Sequence, residues 1–233
     1  MAGLTGLFSG SITQVKKMTK SHHLLLAVFA MCVAVTASNV LVQYPFHWFG
    51  FEHLLTYGAF TYPFAFLIND LTNRRYGPQA ARRIVYAGFV SGLVVSWILA
   101  SPRIAIASGT AFLFAQLLDI TVFNPLRRKT WWIAPLAAAI TGSALDTVWF
   151  FGVAFSSHFS FIDTLTGYSD GSNTTMTNFL GLDIPVWLSL SFGDFGVKLV
   201  MGIFMLLPYG AILAIFMPDI YNGKTDPKNN QAA

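Results

Sequence analysis

The chain has 233 residues, of which 55% are hydrophobic and 10% charged, with 22 phenylalanines and a mean hydropathy of +0.58. Soluble domains carry about 25% charged residues, and apolar runs long enough to cross a bilayer recur here, so an ordinary water-soluble domain is excluded. The net charge of +4 sits in short basic clusters between apolar runs and forms no basic stripe. That pattern speaks against a nucleic-acid partner and for a membrane protein oriented by its loops.

Residues 1–22 are rich in Gly, Ser and Thr, carry Lys16, Lys17 and Lys20, and read as a cytoplasmic segment. The first apolar run, Leu24 to Val42, imitates a signal peptide with a small-residue site at Val35-Thr36-Ala37. It continues through Val40-Leu41-Val42, and further spans follow, so an uncleaved first helix is expected. Ser38, Asn39 and Gln43 near its outer end are either polar glue between helices or substrate contacts.

Tyr44 to Leu55 contains Trp48, Phe49 and Phe51 without Lys or Arg and reads as an outer interfacial element. The second span, Thr56 to Leu71, is broken by Pro63 and ends in Asn69-Asp70-Leu71-Thr72-Asn73 before two arginine pairs. Arg74, four residues beyond Asp70, shares its helical face, an arrangement suited to an inner gate. The third span, Ile84 to Ala100, offers only Ser and Gly as polar relief. Ser101-Pro102-Arg103 is so short a turn that spans three and four must be antiparallel neighbours.

The fourth span, Ile104 to Val122, places Gln116 and Asp119 on one face, and Asn124-Pro125 is expected to stop it ahead of Arg127, Arg128 and Lys129. The fifth, Trp131 to Phe155, carries Asp146 well inside, beside Thr147 and Trp149. Residues 156–183 form the one long loop, polar and acidic. The last apolar stretch, Pro185 to Phe216, is too long for one perpendicular crossing, which suggests a short outer helix before Gly193 and then the true span. Asp194 and Lys198 stand at i,i+4 within it, and residues 218–233 read as a cytoplasmic tail.

Lys and Arg number three before span one, four between spans two and three, three between four and five and two in the tail, against Arg103 alone in the alternate loops. This distribution puts both termini in the cytoplasm. The expected fold is therefore all-α: a single six-helix transmembrane domain over residues 23–217, with an outer loop at 156–183. A charge at the bilayer centre costs about 2.5–3.5 kcal/mol, so Asp70, Asp119, Asp146, Asp194 and Lys198 should face the bundle interior. For Lys198 the expected partner is Asp194 or, across the bundle, Asp146. The alternatives are salt bridges that hold helix register, or a site in which carboxylates bind a cationic or amidine-like group while Trp149, Phe150 or Phe66 stacks on a planar ligand. Five dispersed histidines and a single cysteine predict neither metal nor cofactor.

Ser38-Asn39 with Leu41-Val42-Gln43, Gly58-Ala59-Phe60 through Pro63 to Asp70-Leu71-Thr72, and Gly77-Pro78 with Ala81-Arg82-Arg83-Ile84 resemble the queuosine precursor transporters. So do Gln116 with Leu118-Asp119, Val122-Phe123-Asn124, Trp131-Trp132, Ala134-Pro135, Asp146-Thr147, and Lys198 ahead of Leu207-Pro208. The resemblance implies import of 7-cyano- or 7-aminomethyl-7-deazaguanine, a small-molecule substrate, through a multi-pass protein of the bacterial inner membrane. Position in the topology suggests a substrate site of Asn39, Gln43, Asp146, Trp149, Asp194 and Lys198, with Asp146 or Asp194 receiving the base, and gate or coupling roles for Asp70, Arg74, Gln116 and Asp119. A homo-oligomer in the lipid bilayer is compatible with the resemblance. Two rival readings are the substrate-binding subunit of an ATP-driven vitamin uptake system, and an intramembrane aspartyl protease. The second is opposed by Ser191 standing where a Gly-x-Gly-Asp motif needs glycine.

Overall fold

The computed structural model describes residues 2–42, 44, 46–47, 57–172, 174–179 and 181–221, with side chains from residue 21 onward except at 59, 177, 179 and 220. The principal elements are α1 (Ala2–Leu41), α2 (Gly58–Tyr76), α3 (Pro78–Leu99), α4 (Pro102–Leu126) and α5 (Ile133–Phe155). After a short 3-10 turn come α6 (Ser160–Thr166), a hairpin of β1 (Met176–Phe179) and β2 (Leu182–Pro185), α7 (Val186–Phe216) and α8 (Pro218–Tyr221). Gln43 and most of the expected interfacial element at 44–55 lie outside the described residues.

Among the described residues, five segments are long and apolar enough to cross a membrane: Ser21–Leu41, Pro78–Leu99, Pro102–Leu126, Ile133–Phe155 and Val186–Phe216. The sequence suggests six, and the remaining candidate is α2. Its hydropathy is low because its second half is polar, yet that half is hidden: Asn69, Asp70, Thr72, Asn73 and Arg74 are all buried. Helix α2 packs against α1, α3, α4, α5 and α7, so its polar groups meet protein where the other helices meet lipid. Lipid as the surrounding medium also accounts for the exposed Leu25, Phe29, Val90, Ile98, Val148 and Leu207 on the outer faces of the bundle.

Small residues allow the close approaches. A Cβ at Gly88 would fall 2.7 Å from Met31 Cγ, which ties α1 to α3, and one at Gly58 would fall 2.8 Å from the backbone of Val42. The α2–α3 corner is a Gly-Pro device: Gly77 adopts φ 86° and ψ 173°, its N–H donates to the carbonyl of Asn73, and Pro78 opens α3.

Three boundaries differ from the expected ones. Pro125 does not stop α4, which runs on to Leu126, because a proline this late costs only one intrahelical hydrogen bond. The expected break before Gly193 is absent: α7 is one helix of 31 residues. At 1.5 Å per residue it is about 46 Å long against about 30 Å of hydrocarbon, more than one perpendicular crossing needs. The ion pair from Lys198 to Asp194 on the same face helps keep this stretch helical. The long loop is structured as well, and what orders it is Arg103. Only 1% exposed, its guanidinium donates from Nε to the carbonyl of Val153, from Nη2 to that of Ser156, and from Nη1 to Asp163 Oδ2 at 2.8 Å. Longer contacts reach Ser172 and Asp170.

Two outcomes follow. At Gly77 the backbone lies in a region open essentially to glycine, while the nearest atom to an added Cβ is 3.9 Å away, so strain rather than clash sets the cost. Gly77→Ala should lower stability by about 1–3 kcal/mol in detergent melts, whereas Gly152→Ala, in a helix with open space around it, should not. Asp170 is held below the usual carboxylate range, first by the hydroxyl and backbone N–H of Ser172 and then by Arg103. Because its pKa is depressed on folding, its contribution is present above the ordinary aspartate value of about 4 and lost as pH falls through the depressed one. Proteolysis of the 167–175 segment should stay level from about pH 7 to about pH 5 and rise only in stronger acid.

Candidate functional site

Lys198 of α7 stands between two carboxylates from different helices. Its Nζ donates to Asp146 Oδ2 at 2.7 Å across the bundle and to Asp194 Oδ2 at 2.5 Å one turn away. Thr147 closes the set: its hydroxyl accepts from Lys198 at 3.2 Å and donates to Asp194 at 2.7 Å. From α2, Tyr62 donates its hydroxyl to Asp146 Oδ1 at 3.0 Å, and Lys198 Nζ lies 6.0 Å from the centre of its ring. With all three charged groups ionised, the cluster keeps one net negative charge. Lys198 separates the two acids, so they share an ammonium and not the proton of a protease dyad.

This cluster forms one wall of a cavity of about 340 Å3, within the range of small-molecule sites. The opposite wall is a polar ledge. Asn39 of α1 accepts from Ser96 of α3 at 2.7 Å and donates to the carbonyl of Val35, while Ser108 of α4 lies 3.2 Å from Ser96. Phe89, Phe112 and Phe150 supply the apolar surface. A planar ligand bearing N–H donors thus finds carboxylates on one side, hydroxyl and amide acceptors on the other and aromatic faces between.

Asn39, Asp146, Asp194 and Lys198 therefore come together around one space. Trp149 does not line it: its Nε1 donates to Thr110 on α4 at 2.8 Å, and its ring meets Phe114 edge-on at 4.8 Å. Asp70, Gln116 and Asp119 are separate from the cavity, buried between α2 and α4, where Asn69 donates to Asp119 at 2.9 Å. Arg74 turns away from Asp70, with no ion pair between them; it donates to the carbonyls of Arg127 and Trp131 and lies over the rings of Phe123 and Tyr209. It thereby staples the end of α2 to the α4–α5 connection.

Sequence reasoning passed over Tyr62, Ser96 and Arg103. Tyr62 had a signal: it stands four and eight residues before Phe66 and Asp70, on one helical face. Arg103 had one too, as a lone cation opposite a loop holding Asp163 and Asp170. Ser96, in an apolar span, had none.

A family model described as "Putative vitamin uptake transporter" matches residues 56–101 and 96–212. This chain belongs to that family. It is 32% identical over 219 residues to the "Probable queuosine precursor transporter" of Haemophilus influenzae, covering 84% of this chain and 82% of that one. It is 39% identical over 151 residues to the "Queuosine precursor transporter" of Escherichia coli, covering 56% of this chain and 67% of the relative. A Bacillus subtilis "Probable queuosine precursor transporter" is 27% identical over 150 residues. No solved structure gives a significant match. The protein is a multi-pass membrane transporter of small molecules.

The charge cluster is testable by itself. Lys198→Met leaves two carboxylates without their cation and should destabilise the protein by about 3–5 kcal/mol. Adding Asp146→Asn should restore part of that loss, giving a coupling of about 0.5–3 kcal/mol in a double-mutant cycle of detergent melts. Purely additive losses would show that the contact carries no energy.

Proposed function

We propose that this protein imports queuosine precursors, 7-cyano- or 7-aminomethyl-7-deazaguanine, across a bacterial inner membrane, as a six-span bundle with both termini in the cytoplasm. The observation that carries the reading is the residual negative charge of the Asp146–Lys198–Asp194 cluster, open to a cavity of the right size. The guanine-like edge presents adjacent N–H donors, which a carboxylate of Asp146 or Asp194 receives. The ledge of Asn39 completes the edge contacts, and Lys198 holds the two acids in place. Trp149 acts indirectly, by fixing α5 against α4. In this orientation the cavity, bordered by Leu99, Ala100 and Ile104 beside the Arg103 turn, faces outward. Below it the bundle is closed by the buried groups of α2 and α4 and by the Arg74 staple, which form the inner gate.

The aminomethyl substrate brings an ammonium that would neutralise the cluster, and the cyano substrate brings none. A saturating ligand that binds only the folded protein should stabilise it by about 2.7 kcal/mol at a hundredfold excess over Kd, and both deazaguanines should raise Tm where guanine does not. Asp146→Asn and Asp194→Asn should weaken the aminomethyl compound more than the cyano one. Equal responses to guanine and the deazaguanines, or unchanged binding in both variants, would overturn the assignment. Uptake by the purified protein alone in liposomes would exclude dependence on an ATP-driven partner.

A further inference from the structure

Below the substrate cavity lies a second polar cluster with a different character. Asp70 of α2 and Asp119 of α4 are 4% and 0% exposed, and Asn69, the residue before Asp70, donates to Asp119 Oδ2 at 2.9 Å, so the two acids border one α2–α4 seam. Neither forms an ion pair among the described residues. Asp70 Oδ1, Asp119 Oδ1 and Asn69 Oδ1 lack partners, as do both amide atoms of Asn73 and of Gln116. Asn73 lies one turn from Asn69, and Gln116 one turn from Asp119, so these amides point into the same α2–α4 seam. Seven orphaned polar atoms in one buried patch are far more than packing tolerates, since each costs about 1–3 kcal/mol if left unsatisfied.

Charge balance narrows what completes the patch. Asp70 and Asp119 bring two negative charges and Arg74 one positive, leaving a single uncompensated negative charge in a place without bulk water. Other charged groups do not cancel it: Lys198, which lines the same narrow space as Asp70, is held by Asp146 and Asp194, while Arg82 and Arg83 of α3 and His22 and His23 of α1 are exposed. One proton held between the two carboxyls removes the excess charge and gives a donor to an orphaned oxygen. A route for it exists. A narrow space of about 30 Å3 runs from Tyr62 and Lys198 past Ser143 to Asp70 and Tyr209, room for water but not for a peptide or a base. Its upper end is the floor of the substrate cavity, because Tyr62 and Lys198 line both.

We propose that Asp70 and Asp119 share one proton in this conformation, and that its passage from the water seam through the pair to the cytoplasmic side is coupled to substrate import. The proton enters from water beside Lys198, is held between the two carboxyls, and leaves when the Arg74 staple opens. Asn69, Asn73 and Gln116 orient the pair and the waters that serve it. This rests on the import reading for the coupling and on geometry alone for the proton.

Two measurements separate those parts. Infrared spectra of the purified protein at neutral pH, without substrate, should show a carboxylic-acid carbonyl band that moves in D2O and disappears when Asp70→Asn and Asp119→Asn are combined. Wild type lacking the band overturns the shared proton. Proteoliposomes with a pH-sensitive dye inside should acidify as 7-cyano-7-deazaguanine enters, and an inward proton gradient should increase its accumulation. Asp70→Asn and Asp119→Asn should lose that gradient response while keeping the ligand-induced rise in Tm. Uptake by wild type without acidification, or an undiminished gradient response in the variants, overturns the coupling even if neither variant were stable enough for the binding arm. If neither deazaguanine raises Tm or enters, the substrate reading fails and the infrared band still decides the proton.

Discussion

A lysine held between two aspartates inside a bilayer is the constraint on which the rest of this structure turns. Any one of Asp146, Asp194 and Lys198 alone would be costly there, and together they are tolerable only if α5 and α7 stay in register to within a hydrogen bond. Tyr62 adds α2 to the same knot. Helices that otherwise interact through small residues and dispersion thus acquire a fixed centre, and the surplus negative charge left there faces the larger cavity. Structural and binding roles are not competing explanations of this cluster: the same unbalanced charge that demands a partner from the fold can take one from a ligand.

Helix α2 is the second organising element, and its burial pattern is the reverse of its neighbours'. Its neighbours present apolar side chains to lipid and small ones to protein. It touches five helices and so can turn polar groups in every direction along its second half without exposing them. The price is a set of buried amides and carboxyls with few protein partners, at the level where the bundle is closed. Tyr62, near the start of the helix, belongs to the upper cluster and Asp70, two turns on, to the lower. Any rotation or tilt of α2 would therefore alter both clusters together, which gives the fold a mechanical link between the cavity and its inner closure.

The outer side is ordered by different means. Arg103 fastens the segment after α5 to the α3–α4 turn through carbonyls and carboxylates, beside the apolar packing of Ile162 and Phe159 with Ala107, Val153 and Ala154. The inner end mirrors this with Arg74 on the carbonyls of Arg127 and Trp131. An arginine bonded to backbone carbonyls fastens each end of the bundle, Arg103 with Asp163 as its ion-pair partner and Arg74 without an acid.

The sequence by itself determined that the chain lives in a membrane, where most of its spans lie, and that Lys198 needs Asp194 or Asp146 as a partner. Composition, run length and the cost of buried charge are local properties, and those follow from them. It also placed Asp70, Arg74, Gln116 and Asp119 on helix faces, since i,i+3 and i,i+4 spacing is local too. Only the tertiary structure decided that Arg74 would leave Asp70 for backbone carbonyls, that Trp149 would brace α4 outside the cavity, and that Ser96 would complete the ledge with Asn39. It also decided that α7 would continue through Gly193 and that Arg103 would be buried against the segment after α5. Each depends on which neighbour lies opposite, and that is set by how six or more helical faces pack at once, beyond the reach of any spacing along one chain.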